Sequence, residues 1–210
     1  MYTPKHFEEP RIDVMQNLMR EYPLATLVTL SAAGLDANHI PLSLTMDDAS
    51  AYGVLRGHLA RANPLCGDAS RQAEVLAIFQ AANAYISPSW YATKQETGKV
   101  VPTWNYAAVH AYGTMRIIDD TAWIRNQLEA LTAEHEAAFA EPWAVSDAPH
   151  DFTERLIGQI VGIEISITRL SGKWKVSQNH SPENRNGVIR GLNTSGKPEM
   201  AAIVTARAKT

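Results

Sequence analysis

Apolar and polar positions follow one another along this chain in short periodic runs. Residues 11–22 place Ile12, Met15, Leu18, Met19 and Tyr22 on one face at helical spacing, and Pro10 and Pro23 bracket them, which predicts a helix. Leu24–Ser31 is rich in β-formers and apolar on both faces, the pattern of a buried strand. Ala33-Gly34 is the expected turn. Ile40, Leu42, Leu44 and Met46 then alternate with Pro41, Ser43 and Thr45, as in a half-buried strand. Asp47, Asp48 and Ser50 predict a second turn, and residues 52–58 continue the meander.

Helices interrupt the strands in the second half. Residues 75–80 and 84–87 read as two short strands, 89–94 as a helical turn and 109–118 as a longer strand. Residues 120–139 form the clearest predicted helix: Ile124, Leu128, Leu131 and His135 recur at helical spacing, and Asp119 or Asp120 stands ready to cap it. A shorter helix is predicted over 152–160. Residues 162–170 alternate strictly, with Ile163, Ile165 and Ile167 inward and Glu164, Ser166 and Thr168 outward. Ser171-Gly172 should turn the chain into a last strand over 173–178, and 183–192 reads as helical. The whole is a mainly β, α+β chain: an antiparallel closed barrel with helical insertions. It is read as one domain over residues 1–192, followed by a weakly ordered tail over 193–210.

Composition narrows the partners. Of 210 residues, 45% are apolar and 20% charged, enough apolar side chain for a core without disulfides or a structural metal. The net charge of −3 weighs against a protein that grips DNA by its phosphates, so direct DNA binding is doubtful. Lys173 and Lys175 flank Trp174, with Arg185 and Arg190 further on; this modest concentration of positive charge reads as a solvated face. The lone Cys66 points to a reducing compartment and to an incidental thiol. With no apolar leader in the first ten residues and no run of ~20 apolar residues, the expectation is a cytoplasmic protein away from membranes.

Three clusters mix polar and aromatic residues: residues 38–41 (Asn-His-Ile-Pro), residues 57–64 with His58, Arg61 and Asn63, and residues 85–106 with Trp90, Tyr91, Lys94, Thr103, Trp104 and Asn105. Arg61, just past a strand end, suits a phosphate because guanidinium offers two parallel donors; taken alone, it reads more readily as a solvated loop residue. The aromatics suit a flat conjugated ligand, or packing in the core or at a dimer interface. His39, His58 and His110 lack the convergent spacing of a zinc site, so no metal is expected. There is no G-x-S-x-G elbow, and no G-x-G-x-x-G opens a helix after a strand.

The runs Tyr2-Thr3-Pro4-Lys5-His6-Phe7, Gly57 through Pro64, Tyr85 through Tyr91 with Lys94, Val101 through Tyr106 with Val109-His110, Trp143 with Asp147-Ala148-Pro149, and Gly172-Lys173-Trp174-Lys175-Val176-Ser177-Gln178-Asn179 together resemble the FMN-binding negative transcriptional regulators of the PaiB type. That family is similar to the pyridoxamine phosphate oxidase group, whose split barrel binds FMN at a dimer interface. The resemblance implies FMN as cofactor and a homodimer. It also implies that Arg61 stands where such barrels hold the FMN phosphate, that His39 and Ile40 run beside the flavin ring, and that Thr103, Trp104 and Asn105 lie near the same pocket. Where the oxidases carry a Ser-Arg-Lys run this chain has Ala60-Arg61-Ala62, and Lys94 or His58, with Asn63 nearby, is the candidate substitute. A glycine-containing turn is expected where Ala81-Ala82-Asn83 stands. Beside the regulator, two readings stay open: an FMN-dependent oxidoreductase acting on a small molecule, and a haem-binding or haem-degrading split barrel.

Overall fold

A computed structural model describes residues 1–32, 34–47, 50–67 and 72–207. The turns expected at Ala33-Gly34 and at Asp47, Asp48 and Ser50 therefore lie partly outside the described residues. In chain order the elements are β1 (Glu8–Glu9), α1 (Ile12–Glu21), β2 (Leu24–Ser31), β3 (Gly34–Pro41), β4 (Ser43–Asp47), β5 (Ser50–Ala60), β6 (Gln72–Ile86), α2 (Lys94–Thr97), β7 (Thr103–Ile118), α3 (Thr121–Glu136), α4 (His150–Ile157), β8 (Ile160–Lys175), α5 (Pro182–Thr194) and α6 (Pro198–Arg207). The strands pair in the order β3-β2-β6-β7-β8-β5-β4, with β1 added to β8. This is the expected α+β chain with an antiparallel sheet. It divides into two compact units: Met1–Leu18, Gln80–His110 and Ser171–Thr210 in the first, Met19–Phe79 and Ala111–Leu170 in the second.

In the second unit β2 and β3 form a hairpin, paired from Leu24↔Pro41 to Ser31↔Gly34. β2 buries one face only: Ala25, Leu27 and Thr29 are buried while Leu24 and Leu30 are exposed, so the strand is half-buried. The alternating run over 40–46 is split at Leu42, whose N–H leaves the ladder to bond the Pro23 carbonyl at 2.9 Å. β5 pairs with β8 from Val54↔Ser166 to Ala60↔Ile160. Asp120 caps α3 by accepting the Trp123 N–H at 2.8 Å. Gly162 lets that helix approach the sheet, since a Cβ there would stand 2.3 Å from the Trp123 ring. Glu164, expected outward, is buried, because Arg56 and Arg116 from the flanking strands close over it at 2.9 and 2.6 Å.

Two expected breaks in the strands do not occur. Residues 81–83 continue β6 where a turn was expected, and Ser171-Gly172 continues β8. Gly172 is there for a close approach: a Cβ would meet Met15 Sδ at 2.8 Å and the Glu9 carbonyl at 2.9 Å, and the residue pairs with Glu9 of β1. The tail, expected to be weakly ordered after Asn193, forms α6 as far as Arg207. Met200, Ala201 and Val204 of α6 are buried, as are Val188 and Leu192 of the α5 helix it packs on. Its last residue bonds Glu9, a carboxylate only 1% exposed that Arg11 also holds, at 2.8 and 2.7 Å.

Candidate functional site

The expected site residues fall into two groups, one in each unit. In the second unit β5 ends at Ala60 and delivers Arg61 into a fixed setting. Its Nε donates to the Gly158 carbonyl at 3.0 Å and Nη2 to the Ile160 carbonyl at 3.1 Å. Nη1 and Nη2 grip both oxygens of Asp119 at 2.8 and 2.7 Å, the two-pronged geometry guanidinium offers to paired oxygens. Far from solvated and loose, the side chain is oriented by backbone although 43% exposed. Hydrogen bonding to Asp119 holds its pKa above the usual value.

Asn63 joins the loop after β5 to β3. Its Nδ2 donates to Asn38 Oδ1 at 2.8 Å, next to exposed His39 and buried Ile40. His58, on β5, lies with Nδ1 3.0 Å from Gln127 Oε1 of α3. Asn63 is thus tied to Asn38 and His58 to Gln127, while Arg61 is held by Asp119 and two backbone carbonyls. Cys66 is half-buried, and burial pushes its thiol up, which disfavours the thiolate.

In the first unit, Thr103, Trp104 and Asn105 open β7 beside a cavity of about 370 Å³. Asn105 is buried and donates to Ser177 Oγ at 2.9 Å. Ser177 holds a left-handed backbone, φ +65°, which a side-chain-bearing residue adopts at a cost. Lys175 donates to Thr103 Oγ1 and, at 2.6 Å, to the Trp104 carbonyl. Burial and the neighbouring charge of Lys173 push its pKa down. Tyr91 stacks on His180, ring centroids 4.8 Å apart. Burial raises the Tyr91 pKa; burial and Lys175 lower that of His180. Trp104 itself is exposed, edge-on to exposed Tyr85 at 6.3 Å.

Lys94 does not join that cavity; it is exposed and donates to Ser89 at 3.1 Å. Sequence reasoning named Thr103 and Asn105 but missed Lys175, Ser177 and His180. The signal was available in the Lys-Trp-Lys-Val-Ser run. Reading that run as a solvated face was wrong: Lys173 is buried, with Nζ 3.1 Å from the Tyr2 carbonyl, and Lys175 is half-buried. Among the described residues no three His, Cys, Asp or Glu side chains gather as a metal site.

Arg61 is thus a guanidinium fixed just past a strand end by two backbone carbonyls and one carboxylate. The family model described as "Putative FMN-binding domain" matches residues 1–169, and the chain belongs to that family. It is 38% identical to an uncharacterized protein of Emericella nidulans over 93% of this chain and 92% of that one. It is 29% identical to the protease synthase and sporulation protein PAI 2 of Bacillus subtilis, over 100% of this chain and 99% of that protein. Among solved structures, the flavocytochrome of Azotobacter vinelandii superposes with a TM-score of 0.61 at 14% identity, covering 83% of this chain and 72% of that one. The FAD and heme binding protein of Mycobacterium smegmatis gives 0.58 at 16%, covering 80% and 72%. At these identities they show the fold, which is the split barrel.

Proposed function

We propose that this chain is an FMN-binding flavoprotein of the PaiB type, working as a homodimer in the cytoplasm, with Arg61 as the anchor of the flavin phosphate. The observation that carries the assignment is the Arg61 fork, aimed by the Gly158 and Ile160 carbonyls and already closed on two oxygens of one carboxylate. Phosphate presents the same paired oxygens with more charge. The pair is exposed, with Asp119 66% accessible, and exposed ion pairs contribute little, so phosphate can replace the carboxylate at small cost. The residues therefore fit FMN, with His58 and Asn63 near the phosphate and His39 and Ile40 beside the ring. Lys94, exposed and bonded to Ser89, is the weakest of the expected contacts.

When bound, the flavin supplies an electron carrier; the protein supplies the cation that neutralises its phosphate and the strand that supports its ring. The homodimer rests on the family resemblance and on the exposed Leu30 and Leu35, a cross-strand pair of the β2–β3 hairpin. Among the described residues no helix is long and apolar enough to cross a membrane. A role in gene regulation through a partner or a metabolite, rather than through DNA gripped directly, agrees with the net charge of −3. Titration of FMN into Arg61→Ala and Asp119→Asn tests the anchor. The first should bind more weakly and the second more tightly than the parent protein; two unchanged affinities would remove Arg61 from the site.

A further inference from the structure

The cavity of the first unit has a chemistry of its own. It is lined by Lys175 and Lys99 and, among the described residues, by no Asp or Glu. Among the described residues no carboxylate lies within ion-pairing distance of Lys175; its bonds go to a hydroxyl and a carbonyl, which orient the ammonium without neutralising it. A cation half out of water with no counter-charge is costly unless something anionic joins it.

A second observation is independent of charge. Tyr91 is 4% exposed and lines the cavity, and its hydroxyl is buried without a hydrogen-bond partner among the described residues. A buried hydroxyl left unpaired loses its hydration and gains nothing, so such groups normally find an acceptor. The lining residue Ser177 adds a third feature: its left-handed backbone is held by the bonds between its hydroxyl and the Asn105 side chain. Strain of this kind collects where a ligand is gripped. Phe7 and the Tyr91–His180 stack supply flat apolar wall.

We propose that this cavity, which none of Arg61, His58, Asn63, His39 and Ile40 lines, is a binding site for a small molecule bearing an anionic oxygen group, with Lys175 as its counter-ion and the Tyr91 hydroxyl donating to it. Carboxylate and phosphate share this chemistry, and the volume suits a compact ligand with one ring or a short chain.

The test is calorimetric titration of the protein as purified with two probes, benzoate and inorganic phosphate, with flavin content measured in the same samples. Saturable binding is expected from at least one probe; benzoate alone identifies a carboxylate ligand, phosphate alone a phosphate. Tyr91→Phe, which removes only the hydroxyl, should weaken the binding by about tenfold, and Lys175→Met should abolish it. Flavin content should be unchanged in both variants. If Lys175→Met fails to fold, Tyr91→Phe alone decides. The proposal is overturned by no saturable binding of either probe, by an affinity that Tyr91→Phe leaves untouched, or by competition between added FMN and the probe, which would make the cavity part of the flavin's own site. Because flavin is quantified separately, absent flavin with intact probe binding would count against the FMN reading and leave this one standing.

Discussion

Arg61 and Glu9 are both charged residues tied to distant parts of the chain, Arg61 to Asp119 and Glu9 to Arg207, and the two settings predict opposite behaviour. Arg61 is exposed and its partner Asp119 is replaceable. Converting Arg61 to Ala should weaken FMN binding on the order of a hundredfold, as expected for a lost two-pronged, charge-assisted contact. Lys94→Ala should weaken it less, because Lys94 is bonded elsewhere; fluorescence titration of FMN orders the two. Glu9 is enclosed by Arg11 and Arg207. Burial pushes its carboxyl up, but the hydrogen bonds from Arg11 and the charge of Arg207 outweigh this, leaving it below the usual 4.5. A carboxyl depressed in the folded state adds stability that is complete above the unfolded value and disappears as pH falls through the folded one. At pH 7, Glu9→Gln should therefore cost about 3 kcal/mol, as for breaking a buried pair. The gap in melting temperature between it and the parent should close below about pH 4.5. A gap that stays constant down to pH 3 would contradict the ion-pair account.

At the scale of elements, glycines mark where the chain comes close to itself. Gly187 and Gly191 of α5 face Trp90: a Cβ at Gly187 would stand 1.9 Å from the Trp90 carbonyl oxygen, and one at Gly191 2.2 Å from the indole. Gly187→Ala should thus cost roughly 3 kcal/mol by overpacking, measured by urea denaturation; a cost near zero would mean α5 does not rest on Trp90. Periodicity made α1 and α3 legible, because each carries its own apolar face; β2 was read from its β-formers, and the expectation that both its faces are buried failed. Periodicity failed where partners decide the structure. Residues 81–83 have poor strand propensity, yet β6 runs straight through them, since pairing in a sheet overrides local preference. Gly172 carries a turn signal that contact with Met15 and Glu9 explains instead. α6 has small and apolar residues without a sharp polar face, so its burial against α5 was invisible in sequence. Of the candidate residues, Arg61 was noticed for its place past a strand end, while Thr103 and Asn105 were singled out only through the family resemblance. Lys175 and His180 were missed, since only folding sets them against Thr103 and Tyr91.

For the whole molecule, the account predicts a two-fold dimer that FMN strengthens or completes. Sedimentation at micromolar concentration should give about twice the 23.1 kDa chain mass. A purely monomeric species with flavin bound would remove the dimer and leave the cofactor. With net charge −3, the protein alone should show weak binding to DNA, without sequence preference, at physiological salt. A protected footprint on a defined promoter fragment under excess competitor DNA would reverse that expectation. The central claim is that this split barrel carries FMN, and the most direct measurement is the visible spectrum of the freshly purified protein, followed by chromatographic identification of whatever denaturation releases. The account predicts a flavin spectrum and released FMN, or, for protein purified without it, stoichiometric uptake of added FMN that Arg61→Ala impairs. A colourless protein that takes up no added FMN, or one that releases haem or FAD in its place, would contradict it.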